Sequence, residues 1–363
     1  MQIVSPTFYN SVYNIIDSLQ ERGISKNVFK NNKKASIYGG DSCLEISPMI
    51  NIIEDPLQMF PVIPGRGNHF TMQLAELIWV LQGKTNTNEF FAQFASPAIR
   101  KFSHNTNKLY AAYGHRIRNQ PEGHDILQYA IKTLEENINS RSAVIPIFNA
   151  ELDTMGGEHK PCATTFQVHQ YNNKLDGILT LRANDLIKGY SAINFLEFAF
   201  IQAIICFCLD QKVGRFINFT TTMHYYEGKA SDRIEQIKKY RDLKIPSTNI
   251  GIKDLFDQNV KKEERYTSIL EDVNNIYTSL KEQKINQQNI HLIHPVFKNI
   301  FEILKTVKFN LPITEAVKKL PDYFLYPYLE NQYRNNKKEV EQIIKSSKKI
   351  SKYKKSITWR DNQ

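Results

Sequence analysis

The sequence predicts an α+β fold: a mixed β-sheet packed by one long buried helix, with a further helical region added at the C-terminal end. Three observations predict it. Apolar residues alternate over 164–171, recur at i, i+3 and i+4 over 71–81, and run almost unbroken over 195–209. The order is helix, strands, long buried helix, strand, which is that of an α+β chain with a mostly contiguous sheet. At 363 residues, 41% apolar and 11% aromatic, the chain buries a sizeable core without disulfides or metals, and whole-chain disorder is excluded.

Taken in order, residues 1–19 carry Asn10, Asn14 and Asp17 through their apolar positions and lack a basic leading stretch, so they read as an amphipathic helix and not an export signal. Over 71–81, Met72, Leu74, Leu77, Ile78 and Leu81 make one helix face, Gly83 closes it, and Glu76 and Trp79 ride on it. Segments 143–148 and 164–171 read as strands. Asn172, Asn173 and Lys174 supply a turn, and 177–182 returns as the partner strand. The run 195–209, interrupted only by Glu197 and Gln202, reads as a helix buried nearly all round. It is too short to span a bilayer of about 30 Å at about 1.5 Å per residue, so no membrane partner is expected. Residues 216–226 form a β-rich run of aromatics and threonines. After Gly228, segments 231–241 and 261–284 look like charged surface helices, and 290–330, with four prolines, like short helices packed on the core. This divides the chain into a core domain at 1–230, an accessory mostly helical region at 231–330 and a basic Lys-rich tail at 331–363, helical at most in part.

Lysine and arginine number 47 against 37 acids, a net +10, and the tail holds ten cations against four acids from residue 330 onward. A solvated tail is the expectation, although Tyr353 and Trp359 among lysines would suit stacking on the bases of a nucleic acid. Four cysteines with no CxxC pair and no secretory leader point to a reducing, cytoplasmic setting. The histidines show no metal-ligand spacing, so no metal is expected.

Candidate chemistry centres on Pro161-Cys162, just before the strand at 164–171. A free thiol, with pKa about 8.5, is only a few per cent thiolate at neutral pH, so a nucleophilic cysteine needs cations or donors beside it. A hairpin centred on Asn173 sets residues 164 and 182 opposite each other and brings Arg182 to the Cys162 end of the ladder.

The run from Glu76 to Asn86 (ELIWVLQGKTN), Tyr113-Gly114, Ser140-Arg141, Pro161-Cys162, Gln167, Arg182 with Asp185, Gly189, Asn194 and His224-Tyr225-Tyr226 resembles, in order, the motifs of the thymidylate synthase and pyrimidine-nucleotide hydroxymethylase family. The likeness covers roughly residues 40 to 228. It implies a thymidylate-synthase-like fold and folate-dependent transfer of a one-carbon unit from 5,10-methylenetetrahydrofolate to C5 of a pyrimidine nucleotide, most simply methylation of dUMP. The alternatives are hydroxymethylation of dUMP, dCMP or CMP, and a non-catalytic member acting as a nucleotide or nucleic-acid binding module. By resemblance Cys162 adds to C6 of the base, Arg182 stabilises its thiolate and holds the anionic end of the substrate, Glu76 organises water and relays protons, and Tyr113 helps remove the C5 proton. Asn194 reads the N3–H and O4 edge, His224 and Tyr226 bind the sugar hydroxyl, and Gln167 lines the substrate side. Asp185 binds the pterin ring, with Trp79 on the cofactor side. Arg141 reaches across a homodimer to the neighbouring phosphate.

Departures from the family pattern are specific. One extra residue lies between Gly189 and Asn194, because counting from Arg182 alone puts Ile193 at the base-reading position. Ala163 stands where the family has a histidine, Ser142 where it has a second phosphate arginine, and Ala183 where it has a serine. Arg66 and the Lys33/Lys34 pair are the candidates to compensate at the phosphate. The tryptophan that covers the one-carbon intermediate has no counterpart, since the chain has only Trp79 and Trp359 and offers Ile99 and Phe102 instead. Removal of residues 331–363 is expected to leave pyrimidine binding nearly unchanged.

Overall fold

A computed structural model describes residues 1–27, 42–67, 69–95, 108–109, 111–120, 123–154, 160–246, 249–282 and 290–362. The expectations on Lys33, Lys34, Ile99 and Phe102 lie outside them. Among the described residues ten strands make two sheets: β1 (Gln2–Thr7), β2 (Ile24–Asn27), β3 (Ser42–Ile46), β4 (Met49–Asp55), β5 (Val144–Pro146), β6 (Ala163–Tyr171), β7 (Lys174–Leu181), β8 (Asn184–Asp185), β9 (Val213–Thr220) and β10 (Met223–Tyr226). The six-stranded sheet runs β1-β4-β9-β7-β6-β5 and the four-stranded one β2-β3-β10-β8. Parallel pairs (β1 with β4, β7 with β9) mix with antiparallel ones, and helices pack over the inner face. The α+β class expected from the sequence is the one observed.

The first element corrects the reading of 1–19 as one helix. Ile3 and Ser5 alternate with exposed neighbours and bury against β4, so residues 2–7 form a strand. The helix Phe8–Arg22 then starts at Thr7, whose hydroxyl oxygen accepts from the Asn10 N–H. The run 216–226 is likewise two strands, β9 and β10, in different sheets. The mostly contiguous sheet of the sequence reading is therefore divided.

The β6–β7 hairpin forms as expected, but one step away in register. Asn172 and Asn173 both sit at positive φ (50° and 57°), the pair of left-handed residues that a two-residue turn demands. Tyr171 therefore pairs with Lys174 and Phe166 with Leu179, and an irregularity between Ala163 and Thr165 slips the ladder once more. The slip sets Arg182 against Cys162 itself, and the Arg182 N–H donates to the Cys162 carbonyl at 2.9 Å.

Beyond β8 the chain winds a π-helical segment, Leu186–Asn194, straight into the helix Phe195–Leu209. Together they form 24 residues long and apolar enough to cross a bilayer, so the expectation that this stretch is too short is corrected. In its most apolar window 94% of residues are buried inside the protein, and every residue from 195 to 209 is buried, so the element is the core helix between sheet and accessory helices.

The C-terminal region differs most from expectation. Helices Pro295–Lys308, Asp322–Tyr333 and Lys337–Ser346 bury Ile300, Phe324, Tyr328 and Ile344, and short turns to residue 362 bury Ile350 and Ile357. Trp359, read from the sequence as a ring for stacking on bases, is wholly buried, and its indole N–H donates to Glu330 at 2.9 Å. Arg360 pairs with the same carboxylate at 3.2 Å. The lysines line the outer helix faces while the apolar residues between them dock, so 331–362 is part of the folded body. One tie to the N-terminal half is Thr71, whose hydroxyl donates to Asn331 at 2.8 Å at the start of the helix Phe70–Leu81.

Candidate active site

Four elements converge where β6 begins and β7 ends. Cys162, half-buried, immediately precedes β6. Arg182 follows β7, and its guanidinium donates to the carbonyls of Pro161 (2.9 Å) and Lys160 (3.1 Å), which fixes it beside the cysteine while leaving it exposed. Tyr113 opens the short helix Tyr113–Arg118, and its hydroxyl accepts the Ala163 N–H at 3.3 Å. That helix lies close against the one carrying Glu76: Gly114 approaches Val80 so tightly that a Cβ there would meet the Val80 carbonyl oxygen at 2.2 Å. The same short helix is braced by a buried bidentate pair, Arg116 with Asp153 at 2.9 and 3.2 Å.

The electrostatics join these groups into one site. Burial pushes the Cys162 thiol up, the Arg182 guanidinium pulls it back, and the Asp185 carboxylate adds to the rise. Burial raises the Tyr113 phenol, helped by Cys162 and by Glu197. Glu76 is held well above the ordinary carboxylate range by burial, and Glu197, 2% exposed, is raised by burial and then by Glu76. Glu197 is the residue that sequence reasoning missed. It stood out only as the one acid in an apolar helix, three residues after Asn194 and so on the same face.

Asn194 is 7% exposed at the junction of the π-helical segment with the long helix, and its amide donates to Asn184 at 3.1 Å. Gly189 touches both side chains: a Cβ there would lie 2.7 Å from Asn184 Oδ1 and 3.0 Å from Asn194 Nδ2. Asp185 caps the π-helical segment through Oδ1, which accepts from the N–H groups of Ile187 (2.8 Å) and Lys188 (2.9 Å). The parallel pairing of β8 with β10 sets His224 beside Asp185, and the His224 and Tyr226 rings meet edge to face at 5.2 Å.

Four of the sequence candidates stand apart from this cluster. Trp79 is 1% exposed, stacks on Phe91 and donates to the Asn86 carbonyl, which makes it a core residue. Arg66, also buried, donates to Ser191 Oγ (2.9 Å) and to the Ile187 carbonyl (3.1 Å), bracing the π-helical segment. Gln167 lies on the outer face of β6 and donates to the backbone carbonyl of Arg141, whose side chain is exposed.

The arrangement brings a thiol beside a fixed cation and a phenol against the next backbone N–H, with the carboxyls of Glu76 and Glu197 and the amide of Asn194 on neighbouring helices. Residues 24–272, more than half of the chain, match the family model described as Thymidylate synthase. The chain belongs to the thymidylate synthase family. Among curated proteins it is similar to the deoxyuridylate hydroxymethyltransferase of Delftia phage PhiW-14 (24% identical; 60% of this chain, 62% of that one). A second such protein, from Bacillus phage SP01, is 24% identical over 65% of this chain and 64% of its own. The thymidylate synthase of Streptococcus suis is 26% identical over 50% of this chain and 65% of its own. The chain thus spans somewhat under two thirds of the length of these three relatives. The helices from Pro295 onward lie outside the matched residues.

Proposed function

We propose that this member of the thymidylate synthase family transfers a one-carbon unit to C5 of a pyrimidine nucleotide through a covalent bond between Cys162 and C6. The observation that carries the reading is the pairing of Arg182 with Cys162 at the mouth of the β6–β7 hairpin, with Tyr113 closing on the next backbone N–H. C5 of a pyrimidine is a poor nucleophile. When the thiolate adds to C6 the 5,6 double bond breaks, its electrons pass toward O4, and C5 becomes able to attack an electrophilic carbon. Tyr113, held against Ala163, then helps the C5 proton leave, and loss of the sulfur from C6 restores the ring. Asn194 offers one donor and one acceptor to the base edge, the set that uracil requires.

The cosubstrate 5,10-methylenetetrahydrofolate would supply carbon at the formaldehyde level. Asp185 fits it, because Oδ1 is taken up by the helix cap while Oδ2 has no hydrogen-bond partner among the described residues and is free to accept the N–H groups of a pterin. A homodimer is part of the same proposal. Val4, Ile52, Ile217 and Ile178 form one row across the outer face of the six-stranded sheet, ending at Gln167 beside Arg141, and Val4 is 52% exposed. A second copy covering that apolar row would bring Arg141 toward the neighbouring site.

A specific observation favours hydroxymethyl over methyl as the product. Both tryptophans of the chain are buried, Trp79 in the core and Trp359 in the C-terminal region, so neither covers the reacting carbon, and water is a competent acceptor. The test uses dUMP, dCMP, UMP and CMP, each tritiated at C5, with methylenetetrahydrofolate. Tritium release by the protein and its loss in Cys162→Ser support the mechanism; undiminished release by that variant contradicts it. The mass of the product nucleotide separates a gain of CH2 from a gain of CH2O.

A further inference from the structure

The side chain of Asn184 has no part in the reading above. It sits on β8, 1% exposed, where the backbone N–H of the same residue donates to the Thr222 carbonyl at 2.8 Å. Among the described residues it alone bonds the side-chain amide of Asn194: Asn184 Oδ1 accepts from Asn194 Nδ2 at 3.1 Å. Asn184 Nδ2, by contrast, is closed to solvent and has no hydrogen-bond partner among the described residues. A buried donor in that state is uncommon and costs stability. Turning the Asn184 amide over would put its oxygen in the orphaned place and its donor against Asn194, yet the protein does not adopt that arrangement. Gly189 supplies a physical reason, because a Cβ there would stand 2.7 Å from Asn184 Oδ1 and 3.0 Å from Asn194 Nδ2. The closer atom is an oxygen, which accepts the weak contact of a Cα–H; an NH2 in its place would set hydrogen against hydrogen.

The consequence falls on the base edge. A side-chain amide carries two N–H donors on one arm and an acceptor oxygen on the other. With Nδ2 tied to Asn184, Asn194 is left with Oδ1 and one N–H in a fixed order. Turned over, it would bring its own Oδ1 against Asn184 Oδ1, two acceptors at about 3 Å with no proton between them. Uracil and cytosine differ in this order. Uracil has a donor at N3 and an acceptor at O4, whereas cytosine has an acceptor at N3 and a donor at N4. An asparagine free to turn satisfies either base, and one held in a single orientation satisfies only one of them.

We propose that Asn184 is a positioning residue that sets the base specificity of the site, by holding the Asn194 amide in the single orientation that matches a uracil nucleotide. This rests on the proposed function, in which Asn194 reads the base. Asn184 is walled off from the ligand and acts through Asn194 alone, and the orphaned Nδ2 is the cost of aiming its oxygen that way. No bond is made or broken by the device.

Calorimetric titration of the unsubstituted protein with dUMP, dCMP, UMP and CMP should show the uracil nucleotide binding at least about 30-fold more tightly than the cytosine nucleotide of the same sugar. Asn184→Leu has nearly the same shape and removes both the orphaned donor and the acceptor. The Asn194 amide is then free to turn, and the preference should shrink to under about threefold. Asn184→Asp, at about pH 8 where a carboxylate only accepts, should keep most of the preference. A loss of packing alone would weaken both bases alike and leave their ratio unmoved. An unchanged ratio in a folded Asn184→Leu protein would overturn the inference, as would equal binding of the two bases by the unsubstituted protein. A second measurement needs no change at position 184: in nuclear magnetic resonance spectra of protein carrying isotope-labelled asparagine, Asn194 Nδ2 should show a scalar coupling to Asn184 Cγ across the hydrogen bond. Its absence overturns the inference even if the Leu variant does not fold. Failure of all four nucleotides to bind would overturn this inference and the functional reading together. A collapsed ratio in Asn184→Leu beside undiminished tritium release in Cys162→Ser would overturn the covalent mechanism and leave the role of Asn184 standing, whereas an inactive Cys162→Ser with an unchanged ratio would overturn the role of Asn184 alone.

Discussion

At Cys162 burial and charge oppose each other, and burial is the larger effect. The thiol is therefore held above its ordinary pKa in the free protein, and the Arg182 guanidinium is what keeps the rise in check. The rate of alkylation by iodoacetamide should climb with pH toward a midpoint above that of a free cysteine. In Arg182→Gln the midpoint should move higher still and the rate at pH 7.5 should drop severalfold; equal rates in the two proteins would mean that the guanidinium does not act on the sulfur. The approach of Arg182 to Cys162 was legible in the sequence because a turn centred near Asn173 leaves few ways to fold the hairpin. Glu197 was not. A single acid within fifteen mostly apolar residues reads as an interruption, and only the folded helix shows that it is almost wholly buried.

At the scale of the element, the extra residue inferred between Gly189 and Asn194 has a physical home. A π-helix carries more residues per turn than an α-helix, so Leu186–Asn194 takes up one more residue without displacing either end, and Asn194 still meets Asn184. Arg66 and Gln73 hold that wider turn by donating to Ile187 and Ala192. The hairpin was placed within one register step; the step depended on both asparagines turning left-handed, which composition allows but does not dictate. The pair that steadies Tyr113 was invisible, because Arg116 and Asp153 are 37 residues apart. Their side chains are only 3% and 5% exposed. Asp153→Ala strands a buried guanidinium and should destabilise the protein by about 3–5 kcal/mol. Thermal unfolding checks this, and a loss under about 1 kcal/mol would mean that the pair is solvated in solution.

For the molecule as a whole, the fold class and the core helix were readable from periodicity, while the division into two sheets and the docking of the C-terminal region were not. Lysine content concealed the latter: spaced apolar residues such as Ile344, Ile350, Ile357 and Trp359 all point inward from a basic exterior. Truncation after residue 330 should thus be far from neutral, contrary to the expectation for a solvated tail. Trp359→Ala should cost about 3–5 kcal/mol and lower the unfolding temperature by several degrees; an unchanged melting curve would restore the tail to an independent appendage. The central claim concerns the assembled site, where sulfur, base and one-carbon donor must meet. A 5-fluorinated uracil or cytosine nucleotide has no C5 proton to lose, so turnover should stall with the sulfur still attached. Mass spectrometry of the denatured protein after incubation with such a nucleotide and methylenetetrahydrofolate should find the peptide containing Cys162 heavier by the nucleotide plus the folate. An unmodified Cys162 peptide, from protein that turns over the unfluorinated nucleotide at its full rate, would contradict the account.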